Sequence, residues 1–229
     1  MAQFHFVGDY ERLVARLVAT YPLDEAMSRA VGGRFEEMGL IQSSIVRYAG
    51  LRDGMSIIDL GCGSGRLATV LGRTMKISYL GIDIIPKLLE YANSISPPHY
   101  IFMLNRDLRI PIVPDEVDMI VAFSLFTHLL HAESYIYLEE MQRVLKPGGK
   151  AVFSFLEFAE PRHWQIFVDT VAAQRADNAE HLNMFIERGA IEVWAERLGF
   201  EVQQFVGATE VPWGGAPVNQ SIVILEKPF

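Results

Sequence analysis

Short apolar runs alternate with amphipathic helical patterns along most of the chain. Ile57, Ile58 and Leu60 suit a strand buried on both faces, as in a parallel sheet covered by helices. Apolar runs over 77–82, 100–104, 118–123 and 151–156 predict four more strands, and 200–206 with 221–225 predict a closing pair. Between them lie helical patterns at 66–71, after Pro86-Lys87-Leu88, and over 133–145, where Leu138, Met141 and Leu145 share a face. Three helices come before the first strand. Residues 10–20 set Leu13, Val14, Leu17 and Val18 against Glu11, Arg12 and Arg16. Pro22-Leu23-Asp24 reads as a break and N-cap for a second helix through Val31, and Gly32-Gly33 interrupts it. A third pattern, Met38, Ile41, Ile45 and Val46, stops at Gly50. The interval 158–199 reads as helical, with Trp164, Phe167, Val168 and Val171 on one face and Ile191, Trp194 and Leu198 on another. Strands alternating with helices predict an α/β, doubly wound sheet, with the first helices packed on it or covering its carboxyl edge.

Composition narrows the function classes. A length of 229 residues suits a single α/β domain, and 50% hydrophobic with 21% charged residues is ordinary globular composition. A net charge of -8 and a pI near 5.3 disfavour nucleic acid as partner. The single cysteine allows no internal disulfide. The opening Met1-Ala2-Gln3-Phe4-His5-Phe6 lacks the basic and apolar segments of a secretion signal, and the longest apolar stretch, 119–130, is too short to span a bilayer. A soluble, cytoplasmic protein with no membrane association is expected. His163, Asp177 and His181 lack compact ligand spacing, so no metal site is expected.

The chemistry concentrates where the first strand ends. Asp59 sits at a buried strand terminus, where a carboxylate requires a partner or a job. Gly61, Gly63 and Gly65 follow, letting the backbone turn tightly and approach a ligand closely. A helix opens at Arg66, so its first amides point back at the turn. Arg66 stands where the dinucleotide fingerprint requires a third glycine, and the Gly-Lys-Ser/Thr of a phosphate loop is absent. Cys62, inside the turn, is a small packing residue rather than a nucleophile. Asp83 ends the second strand 24 residues after Asp59, the separation at which an acid accepts hydrogen bonds from ribose hydroxyls. A helix N-cap before Pro86 is the alternative reading of Asp83.

The pattern Asp59-x-Gly61-x-Gly63-x-Gly65 resembles the first motif of class I S-adenosylmethionine-dependent methyltransferases, small-molecule type, and the resemblance runs from Leu51 to Leu156. Arg143-Val144-Leu145-Lys146-Pro147-Gly148-Gly149 is similar to that family's recurrent turn before the fifth strand. The resemblance implies a Rossmann-like, seven-stranded, mostly parallel sheet whose last strand is antiparallel, with a helical lid over 1–50. It further implies a cofactor-binding core over 51–157, acceptor-side helices over 158–199 and terminal strands over 200–229. S-adenosyl-L-methionine is the implied cofactor, held by Asp59, Gly61, Cys62, Gly63, Gly65, Asp83 with Ile84, Asp107 with Leu108, and Phe123. Asp83 would hold the ribose, and Asp107 with the next amide the adenine, with a solvated loop position as the alternative reading of Asp107. His128, after the fourth strand, is a candidate general base, with a structural or cofactor-side role as the alternative. Tyr10, Arg34 and Phe35 are lid candidates, and Trp164, His163, His181 and Phe185 candidates for acceptor contact; core packing is the competing reading for all of them. No Asn/Asp-Pro-Pro-aromatic motif follows the fourth strand and no Pro-Cys nucleophile is present. A small-molecule acceptor methylated on oxygen or nitrogen is therefore expected, with carbon as an alternative. The rivals are an NAD-dependent oxidoreductase and a non-catalytic S-adenosylmethionine-binding regulator. Homodimerisation through the N-terminal helices is compatible with the sequence.

Overall fold

The computed structural model describes residues 7–176 and 183–229, so Asp177 and His181 lie outside the described residues. The chain divides into two compact units, Met1–Asp107 and Leu108–Phe229. The first contains α1 (Val7–Thr20), α2 (Leu23–Ala30), α3 (Phe35–Tyr48), β1 (Ser56–Leu60), α4 (Arg66–Thr74), β2 (Ser78–Asp83), α5 (Pro86–Ile95) and β3 (Ile101–Leu104). The second contains β4 (Val117–Ala122), α6 (His131–Val144), β5 (Leu145–Phe155), α7 (Pro161–Arg175), α8 (Arg188–Leu198), β6 (Glu201–Val206) and β7 (Ser221–Glu226). The strands form a seven-stranded sheet in the order β3-β2-β1-β4-β5-β7-β6. The β1–β2, β2–β3 and β4–β5 ladders are parallel, and β7 runs antiparallel to both β5 and β6. The expected mostly parallel α/β sheet flanked by helices is the fold. No described helix is long and apolar enough to cross a membrane.

Three local features depart from the sequence pattern. Helix α2 starts at Leu23 with Pro22 at the N-cap, which moves Asp24 from the expected cap into the first turn. The Lys146–Gly149 segment is inserted into the edge of β5: Val117 pairs with Leu145 but Met119 pairs with Lys150. The tight turn lets it bulge out, and its Gly148 amide donates to the Lys227 carbonyl. The interval expected to be helical is broken between α7 and α8. There Met184 and Ile186 donate their amides to Thr127 and Leu156, and Phe185 bridges to Leu156. These main-chain bonds to loops at the ends of β4 and β5 hold the segment extended, overriding helical spacing.

Gly39, in the middle of α3, shows how tightly the first unit is packed. A Cβ there would lie 2.4 Å from the Arg66 carbonyl oxygen and 3.0 Å from Val70, so α3 rests directly on the start of α4. Because the obstructing atom is backbone, it cannot swing aside. Gly39→Ala should therefore destabilise the protein by about 2 kcal/mol in urea unfolding, although the same change in an exposed helix is stabilising by roughly 1 kcal/mol. Stabilisation would show that the two helices are not held in contact.

Candidate functional site

Strand β1 ends in Asp59 and Leu60, both buried, and the chain then turns through three glycines with positive φ: Gly61 at 71°, Gly63 at 55° and Gly65 at 86°. Side chains with a Cβ are strained in that region, which explains the spacing. The Gly61 and Cys62 amides both donate to the Ile82 carbonyl, at 2.8 and 3.1 Å, so the turn is tied to the end of β2. Cys62 is buried, and burial pushes its thiol well above its ordinary range, with Asp83 and Asp59 adding to the effect. That leaves it a packing residue, inert as a nucleophile at neutral pH.

Two carboxylates meet at this turn. Asp83 is 8% exposed; its oxygens accept from the Gly63 amide at 2.8 Å and the Ile85 amide at 2.9 Å, and from the Ile84 amide. Burial raises its pKa while these three amides oppose the rise. Asp83 is therefore a junction between the turn and the start of α5 rather than a side-chain cap, since the N-cap residue is Ile85 and has no side-chain cap bond. Asp59 accepts from the Tyr79 hydroxyl at 2.7 Å, and both residues are 3% exposed. The Arg66 guanidinium lies near Asp59 and donates to the Val31 carbonyl at 2.7 Å.

The N-terminal helices close over this end of the first unit. Ser64 donates to the Met27 carbonyl at 3.0 Å, and a Cβ on Gly63 would lie 2.6 Å from Val31. Val14, Ala26, Met27 and Ala30 pack with Ile85 and Leu88, with Tyr10 and Ile84 at the edge. Tyr10 is brought close to Asp83 and Arg66; burial first, then the Asp83 charge, raises its phenol pKa. Of the sequence's lid candidates, Tyr10 reaches the acid cluster. Phe35 instead meets Tyr91 edge-on at 6.5 Å, and Arg34 pairs with Glu37 on the surface. Asp107 is exposed, in a loop where Asn105 exchanges hydrogen bonds with its backbone. Arg106 beside it joins the Ile84 carbonyl at 3.1 Å to Glu11 of α1 at 2.5 Å.

In the second unit, Phe123 is buried after β4 and Leu108 is half-buried. Ser124 holds a positive φ of 59° and donates its amide to Ser154 Oγ at 2.7 Å. With that oxygen accepting, the Ser154 hydroxyl hydrogen goes to Gln220 Oε1 at 2.5 Å, and Ser124 Oγ donates to the same oxygen at 3.1 Å. The Gln220 carboxamide is thereby oriented with its NH2 turned away from both serines. His128 is half-buried, with its amide bonded to the Leu125 carbonyl at 3.0 Å. His163 is fully buried: Nδ1 accepts from the Glu157 amide at 3.1 Å, so Nε2 carries the hydrogen toward the Asn219 carbonyl at 3.3 Å. This makes His163 a framework residue rather than an acceptor contact. Glu157 beneath it is clamped by Arg188 at 2.8 and 2.9 Å and by Ser221 at 2.5 Å, and the Arg188 and Ser221 bonds hold its pKa low against burial. Above this network Phe158, Trp164, Phe167 and Phe185 form one ring cluster. Phe158 stacks on Phe185 at 4.6 Å, while Phe158 and Trp164 stay 40% and 50% exposed.

Sequence reasoning missed Tyr79 and Gln220. Tyr79 sits two residues before Gly81, which pairs directly with Asp59, so the parallel register carried the signal once β2 was placed. Gln220 offered none, because its bonds reach residues 66 and 96 positions away.

Comparison with known proteins agrees with this geometry. Residues 58–153 match the methyltransferase domain family. Over 198 residues the chain is 27% identical to the biotin biosynthesis bifunctional protein BioHC of Cellvibrio japonicus, covering 85% of this chain and 35% of that protein. It is 26% identical over 175 residues to the human mitochondrial ubiquinone biosynthesis O-methyltransferase, covering 71% and 46%. The chain thus spans between a third and a half of these curated relatives. The solved magnesium protoporphyrin IX methyltransferase of Synechocystis PCC 6803, with bound SAH, superposes with a TM-score of 0.61 at 15% identity, over 85% of this chain and 86% of that one. With the glycine turn, the acid-tipped β2 and the antiparallel β7 in place, residues 58–153 match a methyltransferase domain family and the sheet has the fold of the class I, S-adenosylmethionine-dependent type.

Proposed function

We propose that this protein transfers a methyl group from S-adenosylmethionine to an oxygen of a small molecule that carries an apolar body. The observation that carries the cofactor side is the Asp83 carboxylate, buried at the end of β2 and bonded to the Gly63 amide of the turn. A carboxylate offers about four acceptor positions. Three are taken by backbone amides, and the remaining one suits a ribose hydroxyl. Asp59 and Asp83 are two buried acids, with the Arg66 cation beside Asp59, an arrangement that fits a ligand bearing positive charge. Gly61, Cys62, Gly63 and Gly65 would provide close backbone approach, Ile84 and Phe123 apolar contact, and Asp107 with Leu108 the base end. The bound sulfonium supplies an electrophilic methyl, so the chain's own task is to position an acceptor lone pair in line with it and to keep water out.

The second unit supports the acceptor side. Gln220 presents a pre-oriented N–H donor suited to an acceptor oxygen, and the exposed rings of Phe158 and Trp164 suit an apolar body. The human relative is named for O-methylation in ubiquinone biosynthesis, which supports oxygen as the methylated atom. His128 would take the acceptor proton.

Two outcomes test the reading. Incubation with methyl-labelled S-adenosylmethionine and paired phenols, with and without an alkyl chain, should label the chained phenols on oxygen, as read by product mass. Label confined to amines or carbon, or no transfer, would contradict it. His128→Gln should lower kcat by about 100-fold or more while leaving cofactor affinity unchanged. Unchanged turnover would remove His128 as base.

A further inference from the structure

Asp59 is a buried acid placed where the sheet gives it one dedicated donor. Its register partner on β2 is Gly81, which has no side chain, and the next residue on that face is Tyr79. The Tyr79 hydroxyl therefore reaches diagonally across the ladder to Asp59 at 2.7 Å. The Tyr79 ring is fixed in turn by stacking on Tyr100 at 4.8 Å and by Phe102 at 5.8 Å. The groups facing Asp59 are Tyr79 from β2, Arg66 from the first turn of α4, the Cys62 thiol of the glycine turn and Asp83 from the end of β2. The Arg66 guanidinium beside Asp59 is held in turn by its bond to the Val31 carbonyl.

We propose that Tyr79 is a positioning residue for the cofactor, holding the Asp59 carboxyl in place so that it gives up a proton when the cofactor's positive charge arrives. This rests on the reading that S-adenosylmethionine is held at the glycine turn. Burial raises the Asp59 pKa to about 7, and the Tyr79 hydrogen bond and then Arg66 limit the rise. In the cofactor-free protein Asp59 is then protonated below neutrality and ionised above it. A cation beside it favours the carboxylate, so binding below pH 7 must expel a proton and binding above it need not. Removing the hydroxyl removes a donor that favours the charged form, so the ionisation moves to higher pH.

The sign for folding follows from the same linkage. The folded pKa of about 7 exceeds the unfolded value of about 4, so the folded state holds the extra proton between them. The Asp59 contribution to stability is full below about pH 4, declines as pH rises and is gone above about pH 7.

The test is calorimetric titration with S-adenosylmethionine from pH 5.5 to 8.5, in two buffers of different ionisation enthalpy, on the wild type and Tyr79→Phe. The wild type should bind about tenfold more tightly per pH unit up to about pH 7 and then level, releasing about one proton per cofactor at pH 6. Tyr79→Phe should move the break upward and weaken binding at pH 7 by about tenfold, with little change at pH 8.5. In parallel, urea unfolding without cofactor should show stability declining from pH 5 to 7 in the wild type and no such slope from Asp59 in Asp59→Asn. S-adenosylhomocysteine, which lacks the sulfonium, supports the proposal in either result, since linkage with it places the ammonium beside Asp59 and linkage with S-adenosylmethionine alone places the sulfonium there. Binding that is flat with pH and identical in Tyr79→Phe overturns the proposal. Absence of cofactor binding altogether overturns the functional reading instead, and unfolding slopes measured on the wild type and Tyr79→Phe still report the Tyr79–Asp59 pair, equal slopes overturning the proposal.

Discussion

Two carboxylates buried beside a backbone turn are the constraint on which the first unit depends. Removing an acid from water is costly unless its oxygens are bonded, and here the bonding partners are the fold itself. Asp83 collects amides from the glycine turn and from the approach to α5, and Asp59 collects the phenol of the neighbouring strand. The glycines are needed because the turn must take positive φ at three alternate positions while its amides converge on Ile82 and Asp83. The N-terminal segment adds a second layer of bonds, with the Ser64 and Arg66 side chains donating to the carbonyls of Met27 and Val31. These bonds tie the turn directly to the helices packed against it.

The second unit solves a similar problem with different chemistry. Glu157 is buried at the end of β5 and is neutralised within the unit by Arg188, with Ser221 completing its bonds. Replacing one partner would leave a buried charge alone, so the network is a framework for what lies above it. What lies above it is apolar: four aromatic rings in mutual contact, two of them half-exposed. Ser124 and Asn219 both adopt positive φ without being glycine, and Gln220, next to Asn219, is oriented by the hydroxyls of Ser124 and Ser154. Strain of that kind persists where surrounding bonds over-determine the backbone, as the Ser154 and Gln220 bonds do at Ser124.

Much of this was legible in the sequence because it is local. The apolar runs located the strands of the sheet, most sharply β1 and β4, which are buried along most of their length and have little freedom to be anything else. Asp59, the three glycines and Asp83 were legible because strand, turn and acid follow at fixed spacing. The break between α7 and α8 was not legible, because residues 184–186 are held extended by main-chain bonds to Thr127 and Leu156, about 30 to 60 positions away. The same distance hid Gln220. His163 was open between substrate contact and core packing in the sequence, and burial with both nitrogens bonded gives it to the framework.

The measurement that tests the central claim most directly is the affinity of Asp83→Asn for S-adenosylmethionine beside the wild type, with folding checked by circular dichroism. A carboxylate that holds the ribose should cost about tenfold to a hundredfold in affinity when neutralised. Equal affinity in a folded variant would contradict the placement of the cofactor at the end of β2.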